Sequence, residues 1–159
     1  MGAGTYKLTM PGAMLERGFW LYVWRVETPR GDMHYVGRTG DSSSPNATPP
    51  YQRMGQHLGH AKTQNALRRQ LISAAVSPEE CRCFELISHG ALFPEQADME
   101  AHRAPRDVVA ALEKRLAEAL DGAGYHVLNT VHCRKALDDG LWRDVKDAFV
   151  EYFPKIGEY

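Results

Sequence analysis

The sequence predicts an α+β fold in which helices flank a small three-stranded, mostly antiparallel sheet. Three observations predict this class: an aromatic, β-branched hairpin pattern near the N-terminus, a later segment that alternates like a strand, and stretches in which apolar residues recur at helical spacing. The chain has 159 residues, of which 43% are hydrophobic. We therefore expect a single domain over residues 1–159 with its own hydrophobic core.

The first two strands are predicted from a run of aromatic and β-branched residues. Residues 19–27, FWLYVWRVE, have the composition of a strand. The proline and glycine of TPRGD, 28–32, favour a turn, and MHYVG, 33–37, returns as a second strand. We therefore expect an antiparallel hairpin over 19–37, followed by a loop over 40–50, where Gly, Ser, Pro and Asn dominate.

A helical pattern occupies the segment from Tyr51 to Val76, and Gly59 marks a point at which it can divide into two helices. The next segment, SPEE at 77–80, breaks this pattern because it brings in a proline. The residues that follow, CRCFELIS at 81–88, alternate in the manner of a strand and predict the third strand of the sheet.

The C-terminal half is predicted to contain a long helix and a shorter closing helix. Helical residues follow FPEQ, 93–96, and APRD, 104–107, then restarts a helix with a proline near its first turn. DGAG, 121–124, ends this helix. An amphipathic pattern over about 137–152 predicts the closing helix. The apolar stripe of the long helix consists of Val108, Leu112, Leu116 and Leu120.

Composition argues against several classes of protein. Nineteen basic and twenty acidic residues give a net charge of −1, which argues against polyanion binding over the whole surface but permits a local basic groove. No apolar run approaches the roughly 20 residues that span a bilayer, and the N-terminus lacks the pattern of a secretory signal. Cys81, Cys83 and Cys133 are too few for a disulfide framework. We therefore expect a cytoplasmic protein with no membrane partner.

Six polar residues lie on predicted elements that can bring them together. Arginine binds phosphate through two parallel hydrogen bonds, one carboxylate is enough to hold Mg²⁺, and a phenol can position a water molecule. Arg53 and His57 are four residues apart and therefore share one face of a helix. Together these side-chain types favour phosphodiester chemistry. The six are Tyr22, Tyr35, Arg53, His57, Glu113 and Asn129.

The order and spacing of these residues resemble the GIY-YIG nuclease family. WLY, 20–22, resembles the first motif of the family, and YVG, 35–37, resembles its second motif, across a hairpin. The arginine and histidine of YQRMGQHLG resemble its R-x-x-x-H motif, while Glu113 and Asn129 resemble its later glutamate and asparagine. The resemblance covers about residues 18–130, which we expect to be the core of the domain.

The resemblance implies a role for each position. Tyr22 would orient or deprotonate the attacking water, and Tyr35 would hydrogen-bond around the scissile phosphate. Arg53 would neutralise charge on the phosphoryl oxygens, with help from His57. Glu113 would ligate a single divalent cation, Mg²⁺ or Mn²⁺.

Some positions depart from the family pattern or allow another assignment. Trp20 stands where the first motif has a glycine, and the loop over 40–50 is long and rich in proline. Asn129 is expected to be a structural or supporting partner of the site. Glu118 is the alternative to Glu113 as metal ligand.

The implied function is that of a divalent-metal-dependent endonuclease, with DNA the preferred nucleic acid over RNA. Two alternatives stay open: a GIY-YIG-like nucleic-acid-binding or assembly module without turnover, and an α+β interaction protein whose motifs are coincidental. Target specificity is expected to come from the long loop over 40–50, the C-terminal helix, a homodimer or a partner protein. The basic residues expected to follow a phosphate backbone are Arg38, Arg53, Lys62, Arg68 and Arg69.

Three further features have simpler explanations. A structural zinc site at His57 and His60 is disfavoured because no cysteine or acidic pair stands at finger spacing. Cys81 and Cys83 are interpreted as packing residues. Four aromatic residues are expected in the core or at its rim, namely Trp24, Trp142, Phe149 and Phe153.

Overall fold

The computed structural model describes residues 2–63 and 65–158, and within them the chain has the predicted α+β fold with four α-helices. Its antiparallel sheet has the order β2-β1-β3, so the first strand lies in the centre. The strands are β1 (Phe19–Thr28), β2 (Gly31–Arg38) and β3 (Cys83–Phe93). The helices are α1 (Pro50–Leu58), α2 (Ala66–Ser73), α3 (Met99–Gly122) and α4 (Asp139–Val150).

The hairpin is confirmed, and its register brings the two motif strands side by side. Tyr22 of β1 pairs with Gly37 of β2, and Trp24 pairs with Tyr35. Because side chains alternate along a strand, Tyr22 and Trp24 leave the same face of β1. The division of the following helical segment is also confirmed, since α1 ends at Leu58 and Gly59 caps it.

Several boundaries differ from the prediction. Strand β3 continues beyond 88 to Phe93, because its second half still pairs with β1 as far as Phe19. Helix α3 runs without a break from Met99, so the predicted restart at 104 does not occur. The Asp98 side chain accepts a hydrogen bond from the Ala101 backbone N–H and caps the first turn.

The predicted proline therefore lies inside α3 rather than at its start. Pro105 lacks a backbone N–H and removes one helical hydrogen bond, yet α3 continues through it to Gly122. The closing helix is shorter than the predicted 137–152, since Asp138 caps it by accepting from the Leu141 N–H.

The sheet packs on both faces. On the side that we call the α3 face, Phe19, Leu21 and Val23 of β1 join a cluster with buried residues of α3 and α4. On the opposite side, the α2 face, Tyr22 and Trp24 join a second cluster with residues of α2. The four aromatic residues expected in the core are all buried, namely Trp24, Trp142, Phe149 and Phe153.

No helix in the described part of the chain combines the length and the apolar character that a transmembrane segment requires.

Candidate active site

A cavity of about 200 Å³ opens beside β2, and the five residues to which the sequence assigned catalytic roles all line it. They come from four elements, since β1, β2, α1 and α3 each contribute. The predicted five are Tyr22, Tyr35, Arg53, His57 and Glu113. Five further residues complete the lining, namely Gly37, Arg38, Asp41, Gln56 and Ala66.

Gly37 gives the ring of Tyr22 its place in this cavity. A Cβ atom at residue 37 would lie 2.4 Å from the hydroxyl oxygen and Cζ of Tyr22. Real Cβ atoms essentially never approach so closely, so any larger residue would displace the ring. The glycine of YVG is thus required by the close approach of Tyr22 across the hairpin.

Tyr22 and His57 form a buried hydrogen bond, with 2.6 Å between the phenol oxygen and Nε2. Burial raises the pKa of Tyr22 well above its ordinary value, and burial lowers the pKa of His57 to about 4, with Arg53 adding to that effect. Both side chains are therefore uncharged at neutral pH. Tyr35 stands edge-on to His57, with 5.0 Å between ring centroids, and burial raises the pKa of its phenol.

Glu113 projects from α3 into the cavity, with 13% of its side chain exposed. Burial raises the pKa of this carboxyl to about 7, although Arg38 opposes the effect. The Arg38 Nε donates to Glu113 Oε2 over 2.5 Å. Arg38, predicted as a contact for the nucleic-acid backbone, thus lies in the cavity as the ion-pair partner of the candidate metal ligand.

A second ion pair joins Arg53 to Asp41, a residue that the sequence patterns did not single out. The Arg53 Nη2 donates to Asp41 Oδ1, and the side chains are 24% and 38% exposed. Asp41 follows YVGRTG directly, and its charge next to the motif was the one available signal.

Three buried polar atoms of cavity residues have no hydrogen-bond partner within the described residues. They are Arg38 Nη1, Arg53 Nε and His57 Nδ1. Unpaired buried polar groups are costly, and most buried groups in folded proteins are paired. The internal partners of Arg38 and Arg53 therefore leave one donor of each guanidinium group unsatisfied.

Asn129 lies outside the cavity lining and holds the edge of β2. Its Oδ1 accepts from the Val36 N–H at 3.0 Å, and its Nδ2 donates to the Val36 carbonyl at 2.7 Å. Val36 stands between Tyr35 and Gly37, so Asn129 fixes the backbone that carries both cavity residues. Trp20, at the position of the family's glycine, is 4% exposed, and its indole N–H donates to the Glu16 carbonyl.

The remaining predicted basic residues lie outside the cavity lining. Arg68 is engaged, because its guanidinium bonds to the Leu58 carbonyl and to Glu79, leaving 14% of the side chain exposed. Lys62 and Arg69 are exposed. Glu118, the alternative metal ligand, is 56% exposed, and it pairs with a lysine one turn away on α3.

His57 and His60 are not placed alike. His57 is 6% exposed and bonded to Tyr22, whereas His60 is 80% exposed and lies 3.7 Å from a Glu79 oxygen. Within residues 2–63 and 65–158, no three His, Cys, Asp or Glu side chains form a group that could hold a metal ion.

Comparisons of the chain with models of known protein families, with curated proteins and with solved structures find no match. The chemical groups that line the cavity are therefore the basis for the function proposed below.

Proposed function

We propose that this protein is a cytoplasmic, divalent-metal-dependent endonuclease with a GIY-YIG-like site that hydrolyses phosphodiester bonds, preferably in DNA. The observation that carries the proposal is the convergence of two phenols, two guanidinium groups, an imidazole and a buried carboxylate on one cavity of about 200 Å³. Target specificity would come from the loop over 40–50, from a homodimer or from a partner protein.

The two arginines are suited to bind the scissile phosphate. One nitrogen of Arg38 and one of Arg53 each donate a hydrogen bond to a carboxylate of the protein. Arg38 Nη1 and Arg53 Nε have no hydrogen-bond partner among the described residues. Because both side chains line the cavity, phosphate oxygens bound there would accept charge-assisted hydrogen bonds from the two guanidinium groups. The same bonds would stabilise the charge that grows on the phosphoryl oxygens during hydrolysis.

The carboxylates of the cavity fit a single Mg²⁺ or Mn²⁺ ion. Mg²⁺ keeps several water ligands and needs only one or two protein carboxylates. Glu113 is the candidate ligand because its carboxyl group lines the cavity beside the two arginines. Burial raises its pKa to about 7, and a bound cation would favour the ionised form. Bound there, a divalent cation would supply positive charge to the phosphoryl group and to the leaving oxygen.

The hydrogen bond between Tyr22 and His57 would allow a proton of the attacking water to be transferred by way of the phenol to the imidazole. In the tautomer with an unprotonated Nε2, the Tyr22 O–H donates to His57, and the phenol oxygen keeps lone pairs for a water. The water proton would move to the phenol oxygen while the phenol proton moves to Nε2. Tyr22 would then act without becoming a phenolate, a form that its burial disfavours. His57 would become an imidazolium, a form that burial and Arg53 disfavour, and the negative charge that grows on the phosphoryl oxygens would offset that cost.

A second candidate function is a nucleic-acid-binding or assembly module that keeps the cavity but has no turnover. One observation favours it: Glu113 already has Arg38 as a cationic partner, at 2.5 Å. Such a module would bind DNA at the arginines and would leave it uncut.

Cleavage of supercoiled plasmid and of single-stranded RNA, with Mg²⁺, Mn²⁺ or chelator, tests these proposals. We expect metal-dependent nicking of the plasmid by the wild type and a loss of roughly 100-fold or more in Glu113→Gln and in Arg53→Ala. Glu118→Gln is the matched control, since it makes the same chemical change at an exposed site on the same helix.

The outcomes separate the two candidates. Metal-dependent nicking by the wild type that Glu113→Gln retains in full rules out the proposed site. Binding of DNA without cleavage in any metal favours the module without turnover.

A further inference from the structure

The Asp41 carboxylate forms an ion pair with Arg53, the side chain that we propose binds the phosphate of the substrate. Both residues line the cavity, and the pair is only partly exposed, at 38% for Asp41 and 24% for Arg53. A carboxylate and a phosphate present the same kind of paired oxygen acceptors to a guanidinium fork. The two groups therefore compete for the same donors.

The protein holds the segment around Asp41 in place from both sides. The Gly40 carbonyl accepts a hydrogen bond from Nε2 of His102, a fully buried histidine, over 2.8 Å. At the other end, the Ala47 N–H donates to the Glu95 carboxylate over 2.8 Å. Asp41 is next to the first of these anchors, so its approach to Arg53 follows from the fold of the loop.

The charges of the cavity residues also support competition between Asp41 and a phosphate group. The arginines Arg38 and Arg53 are balanced by the carboxylates of Asp41 and Glu113. A phosphodiester bound at Arg53 would bring a second negative charge next to the Asp41 carboxylate while Asp41 stays in place. Departure of Asp41 from Arg53 would free a cationic donor for the phosphate.

We propose that the Asp41 carboxylate occupies the phosphate-binding position of Arg53 in the nucleic-acid-free protein, so that a phosphodiester must displace it. This inference rests on the proposed function, because it assigns the same arginine to the substrate. It makes Asp41 an internal competitor that weakens the binding of nucleic acid.

The test compares DNA affinities of variants of the full chain. Asp41→Asn keeps the size of the side chain and removes its charge. We expect it to bind a short fluorescein-labelled DNA duplex about three- to tenfold more tightly than the wild type, as befits release of one partly exposed ion pair. Fluorescence anisotropy in the presence of chelator measures binding without cleavage.

Two controls isolate the Arg53 contact from the general effect of removing a negative charge. Glu85→Gln also frees an arginine, Arg25, but that pair lies outside the cavity, and we expect a change of less than about twofold. In an Arg53→Ala background, Asp41→Asn should have no effect, because the competition needs both side chains.

Each result decides the inference. Tighter binding by Asp41→Asn that disappears in the Arg53→Ala background supports it. Binding no tighter than that of Glu85→Gln, or a gain that persists without Arg53, overturns it and leaves the proposed function standing. No binding by either the wild type or Asp41→Asn overturns both.

Discussion

The two faces of the three-stranded sheet are both buried, yet they differ in what lies against them. On the α3 face, Leu21 and Val23 pack among apolar side chains of two helices. On the α2 face, the adjacent residue Tyr22 is just as buried, at 2% exposure, but its hydroxyl meets His57 at the wall of a cavity. Successive side chains of β1 point to opposite faces of the sheet. One set therefore packs in a closed apolar core, and Tyr22 from the other set lines a polar site.

The difference shows two uses of burial. On the α3 face, removing apolar area from water stabilises the fold. Around the cavity, burial keeps Tyr22 and His57 uncharged at neutral pH and raises the pKa of Glu113 to about 7. Substitutions on the α3 face should therefore lower stability, whereas substitutions at the cavity should change chemistry and pH dependence.

The largest expected effect is that of Leu116→Ala on the α3 face. The side chain is 0% exposed, and its loss should lower the free energy of unfolding by about 2–5 kcal/mol through lost burial and a residual cavity. Urea unfolding followed by circular dichroism measures this. Ile72→Ala, at a side chain 58% exposed, is the control and should change the value by less than about 0.5 kcal/mol. Equal effects of the two substitutions would contradict a closed α3 face.

Gly37→Ala should have the next largest effect, and it should reach the cavity as well. The new Cβ would overlap the Tyr22 ring, so we expect a loss of about 1–3 kcal/mol in the free energy of unfolding. Gly55→Ala, on α1 with open space around it, should instead raise that free energy by up to about 1 kcal/mol. Urea unfolding of both variants checks the opposite signs, and a shared sign would argue against the tight Gly37–Tyr22 contact.

The last expected effect is a pH dependence of the free energy of unfolding. It arises from Glu113 and His57 of the cavity. The pKa of Glu113 is about 7 in the folded protein, against an ordinary value of 4.5. Between these values the folded state keeps a proton that the unfolded state has lost. The Glu113 contribution to the free energy of unfolding therefore falls as pH rises through this window. His57 acts oppositely: its pKa is lowered from 6.5 to about 4, so its contribution rises with pH between those values.

The Glu113 part is isolated by Glu113→Gln. The variant should gain stability relative to the wild type, on the order of 2 kcal/mol, as pH rises from 4.5 to about 7. Urea unfolding in chelator across this range provides the measurement, with Glu118→Gln as the matched control. Parallel curves for wild type and Glu113→Gln would mean that burial does not perturb this carboxyl.

Local patterns predicted most of the fold. Alternation and turn residues gave the hairpin, and helical spacing gave α1, α2 and the body of α3. The predicted restart of the helix at 104 was wrong because Pro105 resembles a first-turn proline, whereas the cap lies at Asp98 and the helix continues through the proline. The length of β3 was underestimated because its end depends on pairing with β1.

The sequence by itself predicted the elements, because periodicity is a property of neighbouring residues. The resemblance of its motifs to a nuclease family named five side chains that line one cavity. Only the tertiary structure decided how these groups are paired and charged. Arg38 meets Glu113 across 75 positions of the chain, and Asp41 reaches Arg53 from an anchored loop. Such pairings, and the pKa values that burial sets, depend on which elements pack together. Local sequence carries no direct record of that packing.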